Sequence, residues 1–147
     1  MKIETKYFGE IEAAEGEIIT FKKGLFGFEQ NNSFVIIPFD ETDEASFLCL
    51  QSTDESDLAF VLFNPFYLDS DYNPKLAAED SDELEIGENT IVTFLAVTVI
   101  RESFPESTVN MKCPLVINRE TNNAKQVILE HDYPMRKKLG FQTMEGA

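Results

Sequence analysis

The sequence predicts a single-domain, mostly β protein folded as a small closed or nearly closed β-barrel with one or two short helices. The length of 147 residues fits one domain. Short runs of β-branched and aromatic residues recur along the chain between turn-forming residues. Hydrophobic residues make up 43% of the chain, with 13 Phe and no Trp, which indicates a packed core rather than disorder.

Eight segments are predicted as strands because apolar residues alternate or cluster within them. They are Ile3–Phe8, Ile18–Phe21, Phe34–Phe39, Phe47–Gln51, Leu58–Phe63, Ile91–Ile100, Leu115–Asn118 and Gln126–Glu130. The segment Ile91–Ile100 is mainly apolar on both faces, so we predict a strand that is buried on both sides. Many short strands with few helices favour a barrel or a sandwich.

Turns and helices complete the predicted order of elements. The pair Asn122-Asn123 tolerates left-handed backbone and predicts a hairpin between the last two strands. A short helix is predicted near Ala78–Leu84, where acidic residues suit a helix N-terminus. The domain is predicted to span residues 1–147, with a core over about 2–130 and a short helix or tail over 131–147.

The segment from Phe21 to Phe28 has two glycines, Gly24 and Gly27, but no phosphate-binding pattern. We interpret it as a structural turn in which at least one glycine has a positive φ, because glycine adopts such angles without steric cost. The apolar residues of the segment are expected to pack inward: Phe21, Leu25, Phe26 and Phe28.

Charge is unevenly distributed along the chain, whose formal net charge is −15. Residues 40–88 contain almost all of the excess acid, with Lys75 as their one basic residue. The three acidic clusters are Asp40, Glu41, Asp43 and Glu44; Asp54, Glu55 and Asp57; and Glu79, Asp80, Asp82, Glu83, Glu85 and Glu88. They are either solvated loops that aid solubility or a docking surface for a basic partner. Direct binding to nucleic acid is disfavoured because the chain has no basic patch.

Residues that could support catalysis or metal binding are few. His131 is the single histidine and no nucleophile motif accompanies it, so we expect an exposed residue at a strand end and no enzyme activity. The stretch from Asp69 to Asn73 imitates a calcium loop, but Pro74 replaces the required glycine. Cys49 and Cys113 are interpreted as buried free thiols, with a disulfide or metal pair as the alternative. No metal or cofactor is expected.

Several short motifs occur together in a specific order. They are K-Y-F-G-E (6–10), F-K-K-G-L-F-G-F (21–28), L-Q-S (50–52), N-P-F (64–66), D-Y (71–72), T-V-N-M-K-C-P-L-V-I-N (108–118) and A-K-Q-V-I-L (124–129). In this order and spacing the chain resembles the FliW family of flagellar assembly factors, over about residues 2–130. Cys113 stands where a small residue such as Ala is expected, which we interpret as a neutral core substitution. The motif residues Asn110, Pro114 and Asn118 are assigned structural roles, as are Phe21, Gly24, Gly27 and Phe28.

The resemblance implies a function that the composition only permits. Proteins of this family bind the RNA-binding translational regulator CsrA and relieve its repression of flagellin mRNA translation. They also bind flagellin, in a partner-switching circuit for flagellum assembly. The resemblance further implies a cytoplasmic protein without cofactor, and we expect a monomer when free, with no direct contact to nucleic acid or membrane.

Partner-binding residues are predicted from charge and from exposed aromatic residues, because apolar contacts supply the affinity that charge alone does not. The candidates are Asp40, Glu41, Asp43, Glu44, Asp54, Glu55, Asp57, Phe66 and Tyr67. The aromatic cluster around Phe66 is alternatively the end of a core strand. Two other functions stay open: a generic acidic interaction module or nucleic-acid mimic, and a small-ligand or hydrolytic barrel enzyme with His131 in its cavity.

Overall fold

A computed structural model of the chain describes residues 1–39 and 47–140. The strands are β1 (Lys2–Glu4), β2 (Glu10–Glu12), β3 (Ile19–Phe21), β4 (Ser33–Pro38), β5 (Leu48–Ser52), β6 (Ala59–Phe63), β7 (Val92–Val99), β8 (Thr108–Val109), β9 (Leu115–Asn118), β10 (Asn123–Gln126) and β11 (Lys137–Lys138). The helices are α1 (Pro65–Leu68) and α2 (Ala78–Glu83), with single 3-10 turns at Glu15–Glu17 and Phe104–Glu106.

Seven strands close into a barrel, which confirms the predicted fold class. Their order is β7-β6-β5-β4-β3-β10-β9, and β9 pairs back with β7. All neighbours are antiparallel except β3 and β10, which run parallel. Because β7 pairs with β6, β8 and β9, it both closes the barrel and starts a flap of β8 and β11 outside it. The hairpin of β1 and β2 forms a separate sheet.

The hydrophobic residues form two main cores on opposite faces of the barrel wall. Along β9, Leu115 and Ile117 belong to one core and Val116 to the other, as the side-chain alternation of a strand requires. The first core also contains Phe21 and Phe34, whose rings meet edge to face at 5.5 Å. The second core lies beneath the segments that follow β6 and β10. The middle of the strand predicted to be buried on both sides therefore has an apolar layer against each face, whereas Ile91, Val99 and Ile100 at its ends are exposed.

Several predicted boundaries differ from the structure. The strand expected at Gln126–Glu130 forms earlier, at Asn123–Gln126, because it pairs with β9 directly across the predicted hairpin. The hairpin itself is confirmed, with Asn122 at φ 61°. Within the described part of the segment expected to be a helix or tail, Lys137–Lys138 is a strand paired with β8. Strands β2 and β8 were not predicted, since both are very short.

Both glycines of the turn after β3 have a positive φ, 67° for Gly24 and 87° for Gly27, which confirms the prediction that at least one of them would. Leu25 is buried as expected. The prediction that Phe26 and Phe28 pack inward is wrong, since they are 49% and 39% exposed. Both residues lie in the turn itself, where the barrel interior no longer reaches them.

Candidate protein-binding surfaces

The second acidic cluster lies on the loop between β5 and β6, which is organised by a buried glutamine. Gln51 is fully buried at the end of β5, and its Oε1 accepts a hydrogen bond from the backbone N–H of Lys6 at 3.0 Å. Its Nε2 lies within 3.3 Å of the carbonyl oxygens of Glu55, Ser56 and Leu58. A buried amide must satisfy its polar atoms, so this side chain holds the loop in one conformation.

Further hydrogen bonds fix the start of the same loop. The Ser52 hydroxyl oxygen accepts from the backbone N–H groups of Asp54 at 3.1 Å and Glu55 at 3.0 Å. Asn31 Nδ2 donates to Glu55 Oε1 at 2.9 Å. Asp54, Glu55 and Asp57 are all exposed. We call these three residues the acidic loop, a negative surface on an ordered support.

The other two acidic clusters do not form a comparable exposed surface among the described residues. The cluster of Asp40, Glu41, Asp43 and Glu44 lies outside the described residues. In the third cluster, Lys125 of β10 reaches α2 and places its Nζ 2.5 Å from both Asp80 Oδ1 and Glu83 Oε1. Lys23 Nζ lies 3.0 Å from the other oxygen of Glu83. Part of this cluster is therefore engaged in fastening α2 to the barrel.

These contacts change how the charged groups titrate. Burial opposes the charged form of Lys125, but its hydrogen bonds to Asp80 and Glu83 outweigh burial and raise its pKa. The hydrogen bonds from Lys125 and then from Lys23 lower the pKa of Glu83. The charge of Glu83 is thus stabilised by two lysines, and part of the negative charge of the cluster is neutralised by contacts within the fold.

The aromatic candidates Phe66 and Tyr67 lie on α1. Asn64 caps this helix by accepting a hydrogen bond from the backbone N–H of Phe66 at 2.9 Å, and Pro65 occupies the first turn. Phe66 is 41% exposed and Tyr67 is 50% exposed, whereas Phe63 at the end of β6 is buried. The cluster is therefore divided, with Phe63 in the core and the two helix residues at the surface.

The acidic loop and the aromatic helix are not adjacent along the barrel wall. The loop precedes β6 and α1 follows it. Strand β6 has five residues, so the acidic loop at its start and α1 at its end are about 14 Å apart. The candidate residues therefore form two surfaces, and a single small hot spot cannot include both.

The two asparagines of the 108–118 motif stabilise local backbone. Asn110 Oδ1 accepts from the backbone N–H groups of Lys112 at 3.1 Å and Cys113 at 3.0 Å. Asn118 is buried, and its Nδ2 donates to the carbonyl oxygen of Leu84 at 2.7 Å. The hydrogen bond from Asn118 to Leu84 joins the barrel to the residue that follows α2.

Pro114 and the turn that contains Gly24 are both hydrogen-bonded to β10 or to the residue that follows it. Pro114 is buried, and its carbonyl oxygen accepts from the backbone N–H of Val127 at 3.0 Å. The turn that contains Gly24 is tied to β10, because Gln126 Oε1 accepts from the backbone N–H of Phe26 at 2.9 Å. Exposed Phe28 still packs edge to face on Phe60, with ring centroids 5.1 Å apart.

The two cysteines and the single histidine lie in surroundings that do not indicate catalysis. Cys49 and Cys113 are free and buried, as predicted, and burial raises the pKa of Cys49 to about 11. His131 is exposed, with its ring 4.5 Å from that of Tyr133. Among the described residues, no group of three or more His, Cys, Asp and Glu side chains is placed to hold a metal ion.

No helix within residues 1–39 and 47–140 is long and apolar enough to span a bilayer.

A family profile described as FliW protein matches residues 2–139 of this chain. The chain belongs to the FliW family. A protein of Exiguobacterium sp. named flagellar assembly factor FliW is 44% identical over 140 residues, which cover 95% of each chain. The protein of the same name from Bacillus licheniformis is 42% identical over 132 residues, covering 90% of each chain. The predicted resemblance to FliW is confirmed.

A crystal structure of a flagellar assembly factor FliW has the same fold. Its TM-score is 0.86 at 33% sequence identity, with 95% of this chain and 96% of that chain covered. The match to the FliW profile continues to residue 139, beyond the region of about 2–130 that the motifs indicated. This extension includes β11, which pairs with the flap strand β8.

Two residues that organise the acidic clusters were not predicted: Gln51, which holds the acidic loop, and Lys125, which pairs with the cluster on α2. Gln51 could have been found, because a polar residue inside the apolar run F-L-C-L-Q-S must have a specific partner if the run is buried. Lys125 carried no such signal. Its two carboxylate partners are 45 and 42 residues away, and only the closed barrel brings them to it.

Proposed function

We propose that this chain is a cytoplasmic flagellar assembly factor that binds the translational regulator CsrA and relieves its repression of flagellin mRNA translation. In the same proposal it binds flagellin, and flagellin and CsrA exchange on it as flagella are assembled. The chain acts as a binding protein without enzymatic activity or cofactor, and it is a monomer when free. Membership of the FliW family supports the flagellar role.

The acidic loop is the observation that carries the proposed binding to CsrA. A protein that binds RNA presents basic surface to phosphates. Three exposed carboxylates on an ordered loop attract such a surface and add a negative potential that repels RNA. Because Gln51 and Ser52 already order the loop, little conformational entropy is lost when a partner binds it.

The test is the association rate with CsrA, measured over a range of salt concentrations. The variant D54K/E55K/D57K reverses the acidic loop, and we expect its on-rate at low salt to fall by about tenfold or more. The matched control E10K/E15K/E102K changes the net charge equally at three other exposed acids. The control should keep most of the on-rate, since specific steering depends on where the charge lies.

Each component of the proposal can fail separately. Equal on-rates and equal salt dependence for the two variants would remove the acidic loop from the CsrA site. Reversal of Asp40, Glu41, Asp43 and Glu44 to Lys then tests the other candidate cluster in the same way. If the unaltered protein captures neither CsrA nor flagellin at low salt, the proposed function itself is wrong.

The alternative function is a generic acidic interaction module or a nucleic-acid mimic. A mimic repeats the spacing of phosphates along one face, whereas the acids described here occur on a loop and on a helix pinned by Lys125. This arrangement favours docking to one protein. A mimic would compete with DNA for unrelated DNA-binding proteins, and such competition is a direct measurement that would favour the alternative.

A further inference from the structure

The segment that follows β10 is hydrogen-bonded along one side. The backbone N–H groups of Val127 and Leu129 donate to the carbonyl oxygens of Pro114 and Lys112, each at 3.0 Å. Alternate residues paired to one neighbour are the pattern of an antiparallel ladder. Residues 127–129 therefore continue the line of β10 beyond the barrel, before the chain bends at Glu130 and His131. We call residues 127–131 the β10 extension.

The other side of the β10 extension has lost its neighbour. Strand β3 pairs with β10 in parallel only as far as Phe21, which lies opposite Ala124. On this side the backbone groups of even-numbered residues face β3, since Asn122 O accepts from the N–H of Thr20 at 2.9 Å. After Phe21 the chain turns away, so the backbone groups of Ile128 face open space.

The unpaired groups can be named. Within residues 1–39 and 47–140, neither the N–H nor the carbonyl oxygen of Ile128 has a hydrogen-bond partner, and the N–H of Glu130 has none either. The carbonyl oxygen of Glu130 receives only a long contact from Lys112 Nζ at 3.4 Å. Three backbone groups are thus available along one edge, in the spacing that a further strand would use.

An open groove runs along this edge. Its volume is about 820 Å³, and its opposite wall is the segment between α1 and α2. Ile128 contributes an apolar side chain that is 63% exposed. The charged side chains that line the groove are three carboxylates and one ammonium group: Asp69, Asp71, Glu130 and Lys75.

We propose that this groove binds an extended, basic segment of a partner protein by strand addition. The carbonyl oxygens of the segment accept from the N–H groups of Ile128 and Glu130, and one of its N–H groups donates to the carbonyl oxygen of Ile128. An apolar side chain packs on Ile128, and flanking Lys or Arg side chains pair with the groove carboxylates. This groove proposal depends on the proposed function in one respect only, which is that the binding partner is a protein.

An edge with three backbone groups is short, so the carboxylates must supply much of the affinity and selectivity. Binding should therefore weaken as salt rises, and it should discriminate against acidic segments. The same two features separate strand addition from simple adsorption of an apolar peptide on Ile128. Adsorption needs neither the peptide N–H groups nor the charges.

The probe is the peptide acetyl-Lys-Val-Lys-Val-Lys-Val-Lys-amide, added to the ¹⁵N-labelled protein. We expect the amide exchange of Ile128 and Glu130 to be fast in the free protein and to slow by at least about tenfold at saturating peptide. The amides of Val127 and Leu129 are already bonded and should be slow in both states. A peptide of the same sequence N-methylated at every residue has no N–H group on either edge, cannot complete the ladder and should give no such protection.

Charge removal gives the protein-side control. The variant D69N/D71N keeps an oxygen at Asp69, which accepts from the backbone N–H of Asp71, and should weaken peptide binding several-fold. The matched variant E102Q/E120Q removes two exposed acids that do not line the groove and should bind as the unaltered protein does. The proposal is overturned if the Ile128 and Glu130 amides stay unprotected at millimolar peptide, or if both peptides protect them equally.

A second measurement separates this proposal from the proposed function. Amide exchange is recorded with CsrA or flagellin bound at saturation, and protection of Ile128 and Glu130 by either one supports strand addition by that partner. Failure of both proteins to bind refutes the proposed function, and the peptide result alone then decides the groove. If both proteins bind and the peptide protects neither amide, the groove proposal falls while the proposed function stands.

Discussion

Replacing the two turn glycines separately should produce unequal losses of stability. Both have positive φ, which costs a residue with a Cβ about 1–2 kcal/mol. A Cβ on Gly27 would have no heavy atom within 4 Å, so backbone strain is the whole cost. A Cβ on Gly24 would lie 2.6 Å from the Cα of Glu29 and 2.7 Å from its carbonyl carbon, so the main chain itself must shift.

These geometries set the expected magnitudes. Gly27→Ala should lower the free energy of unfolding by about 1–2 kcal/mol. Gly24→Ala adds an overpacking cost of about 1–3 kcal/mol, for a total of about 2–5 kcal/mol. In a chain of this size, 1 kcal/mol changes the melting temperature by roughly 3 °C. Gly16→Ala is the control, because that glycine has neither a positive φ nor a close neighbour.

The assay is urea unfolding followed by circular dichroism, with the m-value checked for each variant. Gly16→Ala should leave stability unchanged or raise it by up to about 1 kcal/mol. If Gly24→Ala proves no worse than Gly27→Ala, the close approach of Glu29 does not govern the turn. A Gly27→Ala variant as stable as the control would contradict the claim that positive φ sets its cost.

Three further predictions concern the charged cluster, a thiol and a buried tyrosine. Because the pKa of Glu83 is lowered from 4.5 and that of Lys125 is raised from 10.5, their contribution is present between these values. It is lost as pH falls through the pKa of folded Glu83 or rises through that of folded Lys125, so the stability deficit of Lys125→Met should shrink at both extremes of a pH series. Cys49, with its pKa raised to about 11 by burial, should resist thiol labelling at pH 8 until urea unfolds the protein. Tyr72→Phe removes a buried 2.8 Å hydrogen bond to a main-chain carbonyl and should cost about 1–3 kcal/mol in unfolding experiments, whereas Tyr7→Phe at an exposed site should cost little.

The two proposed surfaces make different demands on a partner. The acidic loop lies before β6 and presents only negative charge, whereas the groove combines an open backbone edge with an apolar side chain. Charge reversal at the first should change the on-rate, because steering acts before contact. Truncation of the apolar side chain of Ile128 in the groove should act on the off-rate, since it removes a contact made only in the bound state.

The local pattern of residues determined where the longer strands lie and where the chain turns, but it did not reveal the short strands β2, β8 and β11. Leu115–Asn118 is predicted to the residue, because it is apolar on both faces and is followed by turn residues. The positive φ at Gly24 and Gly27 and the burial of both cysteines also follow from neighbours in the sequence. These features depend on side chains a few positions away, and such information is present in the sequence itself.

Only the tertiary structure decided which distant groups meet. The pairing of β7 with β9 closes the barrel, and no local pattern specifies it. The same closure brings Lys125 to α2, which makes part of an acidic cluster structural. It also leaves the backbone of Ile128 without a partner strand on one side, because β3 ends at Phe21 while the β10 extension continues. Whether a charged or backbone group is free to bind depends on partners that are remote in sequence, and these are fixed only when the strands pair.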